Sequence, residues 1–141
     1  MVMNNWIYQN TEFFEVPKDA IGFVYLITRI DTGHKYIGKK NLFSTTHKRV
    51  NLRRIKIVKS SDWKTYWSSS EVVKALVKEL GEDCFEREIL SFYNTKGELS
   101  YAEVKEQFLR DVLTSPDYLN KNIANRWFKK APVTIENFLE A

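Results

Sequence analysis

Residues 22–40, GFVYLITRIDTGHKYIGKK, constrain the fold most, because two apolar runs flank a short polar segment. The first run, residues 22–30, is rich in the β-branched, aromatic and aliphatic side chains that favour strands. Asp31, Thr32 and Gly33 form a turn signal, and a returning strand begins at residue 34. The segment therefore predicts a β-hairpin that ends in two lysines.

The length of the turn decides which side chains of this hairpin share a face. A four-residue loop over Asp31–His34 would put Tyr25 opposite Lys40, with Tyr36 on the same face. Two phenols and an ammonium group would then converge. A three-residue loop would send the tyrosines to opposite faces, and either tyrosine can also be an ordinary strand residue with a solvated hydroxyl.

The rest of the chain predicts a helix, a strand and a second helix. Ser68-x-x-Glu71 resembles a capping box, and Gly81 follows the apolar positions of that helix. Residues 85–93 predict a third strand, and Ser100-x-x-Glu103 predicts a second helix that runs to about residue 113. This order predicts the α+β class, with a small three-stranded antiparallel sheet flanked by helices.

The size and composition of the chain favour one domain inside a cell. The 141 residues, 43% hydrophobic, suffice for one core, which we assign to residues 21–130, with an extension at 1–20 and a short tail at 131–141. The lone Cys84 cannot form an intramolecular disulfide and fits a reducing cytoplasm. The absence of an apolar run of roughly 20 residues predicts no membrane span.

Basic residues concentrate in one segment, residues 39–64, which carries nine Lys or Arg against one acid. Aromatic residues follow it directly, and cations beside aromatic rings can hold phosphates while bases stack. The segment thus predicts a polyanionic partner, DNA, although an inert solvated loop is the alternative. We assign DNA binding to seven of its residues: Lys39, Lys48, Arg53, Arg54, Lys56, Lys59 and Lys64.

Glu106 is the carboxylate of the second helix that we expect at the domain body. Ala102, Leu109 and Leu113 lie at helical spacing from it, so it would border an apolar stripe, whereas Glu103 would lie on a polar face. A divalent metal would offset the cost of burying such a carboxylate. The alternative is an ordinary solvated glutamate.

Four features together resemble the GIY-YIG nucleases: VYLI at 24–27, YIG at 36–38, EQF at 106–108 and NIA at 122–124. The resemblance covers roughly residues 22–128 and is greatest to the small phage-encoded and intron-homing endonucleases. It implies catalytic roles for Tyr25 and Tyr36, a metal-binding Glu106 and a supporting Asn122.

The chain departs from the pattern at the family arginine, whose expected position falls at Thr46. Arg49 and Arg53 are candidate substitutes, and Lys40 is another because some restriction enzymes of the family place a lysine in the site. The position of the homing-enzyme histidine falls near residues 66–68. We therefore expect Lys40 and Arg49 to take catalytic roles.

The resemblance implies a DNA endonuclease that hydrolyses phosphodiesters with Mg²⁺, or Mn²⁺, bound by Glu106. A non-catalytic nucleic-acid-binding module on the same fold is the alternative. Few residues follow the match, so we expect the basic segment, the N-terminal twenty residues or a second subunit to supply specificity, or specificity to be slight. A single site can cut both strands by forming a homodimer or by sequential nicking, and the sequence leaves both open.

Overall fold

The computed structural model describes residues 5–139 and has the predicted α+β class. Within that range the chain forms eight strands, three α-helices and two short 3-10 helices. In chain order the strands and α-helices are β1 (Trp6–Tyr8), β2 (Gly22–Arg29), β3 (Lys35–Asn41), β4 (Phe43–Val50), β5 (Arg53–Ser60), α1 (Glu71–Leu80), β6 (Phe85–Tyr93), α2 (Lys96–Leu109), β7 (Asn122–Ile123), β8 (Trp127–Phe128) and α3 (Ile135–Leu139).

The central sheet has four strands in the order β1-β6-β2-β3. Strand β2 pairs antiparallel with both β3 and β6, which confirms the three predicted strands. Strand β1 adds a fourth, parallel to β6, and its Trp6 is only 3% exposed. Part of the segment that the sequence set apart as an extension thus completes the sheet and the core.

Both faces of the sheet are covered by helices. Phe23, Tyr25 and Ile27 of β2 pack with α1 and α3 on one face, and Val24 and Leu26 pack with α2 on the other. Because the side chains of a strand alternate between faces, burial on both sides explains why β2 is a continuous apolar run. The central position of β2 fixes where its side chains lie.

The turn between β2 and β3 has the predicted length but lies one residue earlier. Arg29 donates its backbone N–H to the carbonyl of His34 at 2.8 Å, and the four residues 30–33 form the loop. Tyr25 therefore pairs with Gly38 and not with Lys40. Because the register differs by two residues, Tyr36 and Lys40 remain on the face of Tyr25.

Helix α1 confirms the predicted first helix, although its N-cap is Ser70, whose hydroxyl accepts from the amide of Val73 at 3.3 Å. Helix α2 begins about one turn before the predicted cap. Thr95 accepts from the amide of Glu98 at 3.1 Å, so Thr95-x-x-Glu98 is the capping box.

The earlier start of α2 changes the face that it buries. Leu99, Ala102 and Gln107 face the sheet, whereas Leu109 is 70% exposed at the end of the helix. The apolar stripe predicted around residue 106 was therefore wrong. The buried face instead runs beside residue 103.

Residues 43–60 of the basic segment form a hairpin, which we call the arm, with β4 and β5 paired apart from the central sheet. The arm leaves the core after the buried Leu42, whose carbonyl accepts from the amide of Ser61 at 2.8 Å. Asn51 and Leu52 form a two-residue turn with φ of 50° and 65°. No helix among the described residues has the length and apolar character needed to cross a bilayer.

Candidate active site

Three tyrosines meet on one face of the sheet, and we call Tyr25, Tyr36 and Tyr66 the tyrosine cluster. The ring centroid of Tyr25 lies 6.2 Å from that of Tyr36 and 6.0 Å from that of Tyr66. Gly38, the cross-strand partner of Tyr25, leaves room for its phenol: a Cβ atom on this glycine would lie 2.4 Å from the Tyr25 hydroxyl oxygen. The glycine of the YIG tripeptide is thus required by packing.

Burial controls the protonation of two of these phenols. Burial raises the pKa of Tyr25 well above its ordinary value, and hydrogen bonds link its hydroxyl to Ser68 and Tyr66. Burial also raises the pKa of Tyr36, whose hydroxyl forms hydrogen bonds with Ser69 and Ser68. Both phenols therefore keep their protons at neutral pH and can donate hydrogen bonds.

The loop that brings Tyr66 to the cluster is held by the buried Arg87 of β6. This guanidinium donates to the backbone carbonyl of Tyr66 at 2.8 Å and lies 4.2 Å from the ring of Trp67. Its burial lowers the pKa of Arg87 to about 10. Ser68, 3% exposed with φ of 99°, accepts from the amide of Ser70 at 3.0 Å.

Lys40 lies on the tyrosine face, as its strand position predicted. Its ammonium is 4.0 Å from the ring centroid of Tyr66 and 2.6 Å from a carboxylate oxygen of Asp62. The hydrogen bond from Lys40 lowers the pKa of Asp62. The neighbouring Lys39 points to the opposite face, where it donates to the hydroxyl of Ser100 at 2.8 Å.

Glu103 is the α2 carboxylate that lies beside the tyrosine cluster. Burial raises its pKa, while the charge and the backbone amide of Lys39 act in the opposite direction. The charge of Glu103 in turn contributes to the raised pKa of Tyr36. Glu106, one turn later, instead forms an ion pair with Arg110 at 3.0 Å.

Two cavities meet at the cluster, and Tyr36, Ser69 and Glu103 line both. The first, of about 950 Å³, is lined by four lysines and extends to the base of the arm. The second, of about 420 Å³, extends along α2 toward Asn122. The two cavities form one groove with a phenol, a hydroxyl and a carboxylate at its centre.

Two asparagines near the end of the groove have different partners. Asn120, 2% exposed, accepts from the amide of Ile37 at 3.1 Å and donates to its carbonyl at 2.8 Å. Asn122, the residue predicted to act at the site, accepts from the amide of Asn125 at 2.9 Å in an exposed turn. Asn120 therefore holds the YIG strand, and Asn122 lines the second cavity.

The remaining predicted residues lie on the arm or beyond it. Arg49 pairs with Arg54 near the tip of the arm, six residues or about 20 Å along β4 from its base. It is therefore not brought to the tyrosine cluster. Of the cations assigned to DNA binding, Lys48, Arg53 and Lys59 also lie on the arm, Lys56 lines the first cavity, and Lys64 lies in a short 3-10 helix over Trp63–Thr65.

Sequence reasoning did not identify Glu103, Tyr66 or Asn120 as site residues. The capping box at Thr95 was the signal that could have revealed Glu103, because starting the helix there puts residues 99, 102 and 103 on one face. Tyr66 is the first of the three residues, 66–68, near which the resemblance expects a histidine. Tyr66 lines the first cavity.

The hairpin tyrosines, the glycine that packs against Tyr25 and the helix carboxylate lie close together on an α+β domain. A family model described as "Putative endonuclease segE, GIY-YIG domain" matches residues 6–123. The chain belongs to this GIY-YIG endonuclease family. An endonuclease domain implies DNA as the class of substrate. The searches of curated proteins and of solved structures returned no match.

Proposed function

We propose that the chain is a metal-dependent DNA endonuclease that hydrolyses a phosphodiester at the point where the two cavities meet. The observation that carries the proposal is that Tyr36, Lys40 and Glu103 line the same cavity, together with three further lysines. A phenol, an ammonium and a carboxylate are complementary to water, phosphate and a divalent cation respectively.

We assign the metal to Glu103. Over residues 5–139 no group of three or more His, Cys, Asp or Glu side chains is close enough to share a metal. Mg²⁺ or Mn²⁺ nevertheless fits the donor set, because such ions are commonly held by one or two carboxylates with water and substrate phosphates as further ligands. When bound, the ion would supply Lewis-acid stabilisation of negative charge on the departing oxygen.

The protein residues then position the attacking water and neutralise the charge on the phosphate. Tyr36, protonated at rest and lining both cavities, would orient the attacking water by a hydrogen bond. Lys40 would neutralise the charge that builds on the phosphoryl oxygens. Water oxygen bonds to phosphorus and the bond from phosphorus to the 3′-oxygen breaks. The attacking water gives one proton to solvent, and the leaving 3′-oxygen takes one proton from solvent. Tyr25, only 1% exposed, acts by holding Ser68 and Tyr66 in place.

The biological setting that we attach to this activity is a homing endonuclease in the cytoplasm of a host cell, on the sequence resemblance alone. The proposal does not require a homodimer, since one site can nick the two strands in turn.

Nicking of supercoiled plasmid with Mg²⁺, with Mn²⁺ and with EDTA tests the proposal. Glu103→Gln should lower the nicking rate by about 10²-fold or more, as expected when a group that acts in the transition state is lost. Glu106→Gln is the matched control on the same helix, and it should nick at close to the wild-type rate although its pairing with Arg110 is lost.

Binding of labelled duplex in EDTA shows whether each variant still recognises DNA. An inactive Glu106→Gln beside an active Glu103→Gln would contradict the metal assignment. A wild-type chain that binds DNA but never nicks it with either metal would instead be a non-catalytic binding module.

A further inference from the structure

The arm has two chemically different faces. Cross-strand partners in an antiparallel pair share a face, and successive pairs alternate. The groove face carries the pairs Thr45–Val58, His47–Lys56 and Arg49–Arg54. The outer face carries the pairs Thr46–Ile57, Lys48–Ile55 and Val50–Arg53.

The groove face is continuous with the first cavity. Thr45, Lys56 and Val58 of this face all line that cavity, together with Tyr36 and Lys40 of the candidate site. Toward the tip, the same face carries only basic side chains, whereas the outer face mixes cations with aliphatic residues. The positive surface thus begins at the tyrosine cluster and extends outward along one side of the arm.

Like charges oppose one another on this face. The arm, residues 43–60, contains six Lys or Arg and no Asp or Glu. Arg49 lies directly opposite Arg54, and like charges in direct register destabilise a hairpin. Scattered charges on an exposed hairpin can simply prevent aggregation, but that purpose does not require two arginines in direct register. Phosphates between them would remove the repulsion.

We propose that the groove face of the arm binds the backbone of the same DNA whose cleavage is proposed above, on which this inference rests. Arg49 and Arg54 lie about 20 Å along the arm from its base at the groove. With about 3.4 Å per base pair along B-DNA, they hold phosphates about six base pairs beyond the point where the DNA passes the base of the arm.

Two double variants that lose the same charge test whether the groove face, and not the outer face, binds DNA. Arg49→Ala with Arg54→Ala removes two cations from the groove face, and Lys48→Ala with Arg53→Ala removes two from the outer face at adjacent positions. Duplex binding is measured in EDTA over a range of salt concentrations. The groove-face variant should flatten the log-log salt slope by about 1.8 units, and the outer-face variant by much less.

Binding to duplexes of increasing length tests how far along the DNA the arm makes contacts. Wild-type affinity should rise with length until the duplex covers both groove and arm, and the groove-face variant should reach its plateau about six base pairs earlier. Equal slopes for the two double variants, or identical length dependence for wild type and the groove-face variant, would overturn the proposal.

The outcomes also separate this inference from the nuclease proposal. If the groove-face variant shows both binding effects while wild type never nicks plasmid, the arm assignment stands and the nuclease proposal fails. If plasmid is nicked but the two double variants bind DNA alike, the nuclease proposal stands and the arm assignment fails. Unchanged melting temperatures of both variants would show that the comparison reports on DNA contacts and not on folding.

Discussion

Replacing Gly38 by Ala tests whether the glycine of the YIG tripeptide is there for packing. The added Cβ would lie 2.4 Å from the hydroxyl oxygen and 2.6 Å from the Cζ of Tyr25, and 3.0 Å from Cε1 of Tyr36. Real Cβ contacts essentially never fall below 3.0 Å. Tyr25 is 1% exposed and cannot swing into solvent, so either its ring or β3 must shift.

The magnitude follows from two opposing effects. Overpacking a well-filled core costs about 1–3 kcal/mol, and this contact, with a ring enclosed on all sides, belongs at the upper end of that range. Exchanging Gly for Ala in a strand returns about 0.5–1 kcal/mol. The net loss should be about 2 kcal/mol in the free energy of unfolding, or about 6 °C in melting temperature for a chain of this size.

Thermal unfolding followed by circular dichroism measures the effect. Gly97→Ala is the matched control, because nothing lies within 4 Å of its Cβ position in the first turn of α2, and its melting temperature should stay equal or rise slightly. Combining Gly38→Ala with Tyr25→Phe removes the closest atom and should recover part of the loss. A Gly38→Ala variant that melts within about 1 °C of wild type would refute the packing argument.

Three further predictions concern the groove. Asn120→Ala should lower the free energy of unfolding by about 2–4 kcal/mol in urea denaturation, because it removes two buried hydrogen bonds to β3. Asn122→Ala, in an exposed turn, should lower it by under about 1 kcal/mol. Equal losses for the two variants would contradict this prediction. Burial raises the pKa of Glu103, so the folded state is disfavoured by its ionisation as pH rises through that pKa. Metal-free Glu103→Gln should therefore melt higher than wild type near neutral pH but not below about pH 4, and Mg²⁺ should raise the melting temperature of wild type alone. Tyr36→Phe should lower turnover with little change in stability, while Tyr25→Phe should also lower stability by about 1–2 kcal/mol; a normal turnover for Tyr36→Phe would show that its hydroxyl is not needed.

Sequence reasoning succeeded where a local pattern fixes the result. Alternation along a strand has a period of two, so a register error of two residues left Tyr25, Tyr36 and Lys40 on one face. The apolar spacing of α1 and Gly81 likewise fixed that helix and its end. The α+β class followed from the order of these elements.

The errors arose where one pattern permits two structures. The Thr-Lys-Gly sequence at residues 95–97 suits a turn as well as a helix N-terminus, so the predicted helix began at the later Ser100 signal and its predicted buried face did not include Glu103. The arm was missed because nearly all its side chains are exposed: β4 shows no alternation of apolar and polar residues, and β5 shows it only over residues 54–57. Strand β1 has only three residues, too few for a periodic signal.

The way in which the arm is attached separates evolutionary changes in target preference from changes in the chemistry of the site. Its strands leave the core after Leu42 and return at Ser61, and residues 46–55 line neither cavity of the groove, so this outer part of the arm can be altered, lengthened or exchanged without touching the tyrosine cluster. A lineage could thus acquire a new target preference while its chemistry stays constant. A laboratory graft at the same two positions would likewise transplant the hairpin of one relative onto the body of another.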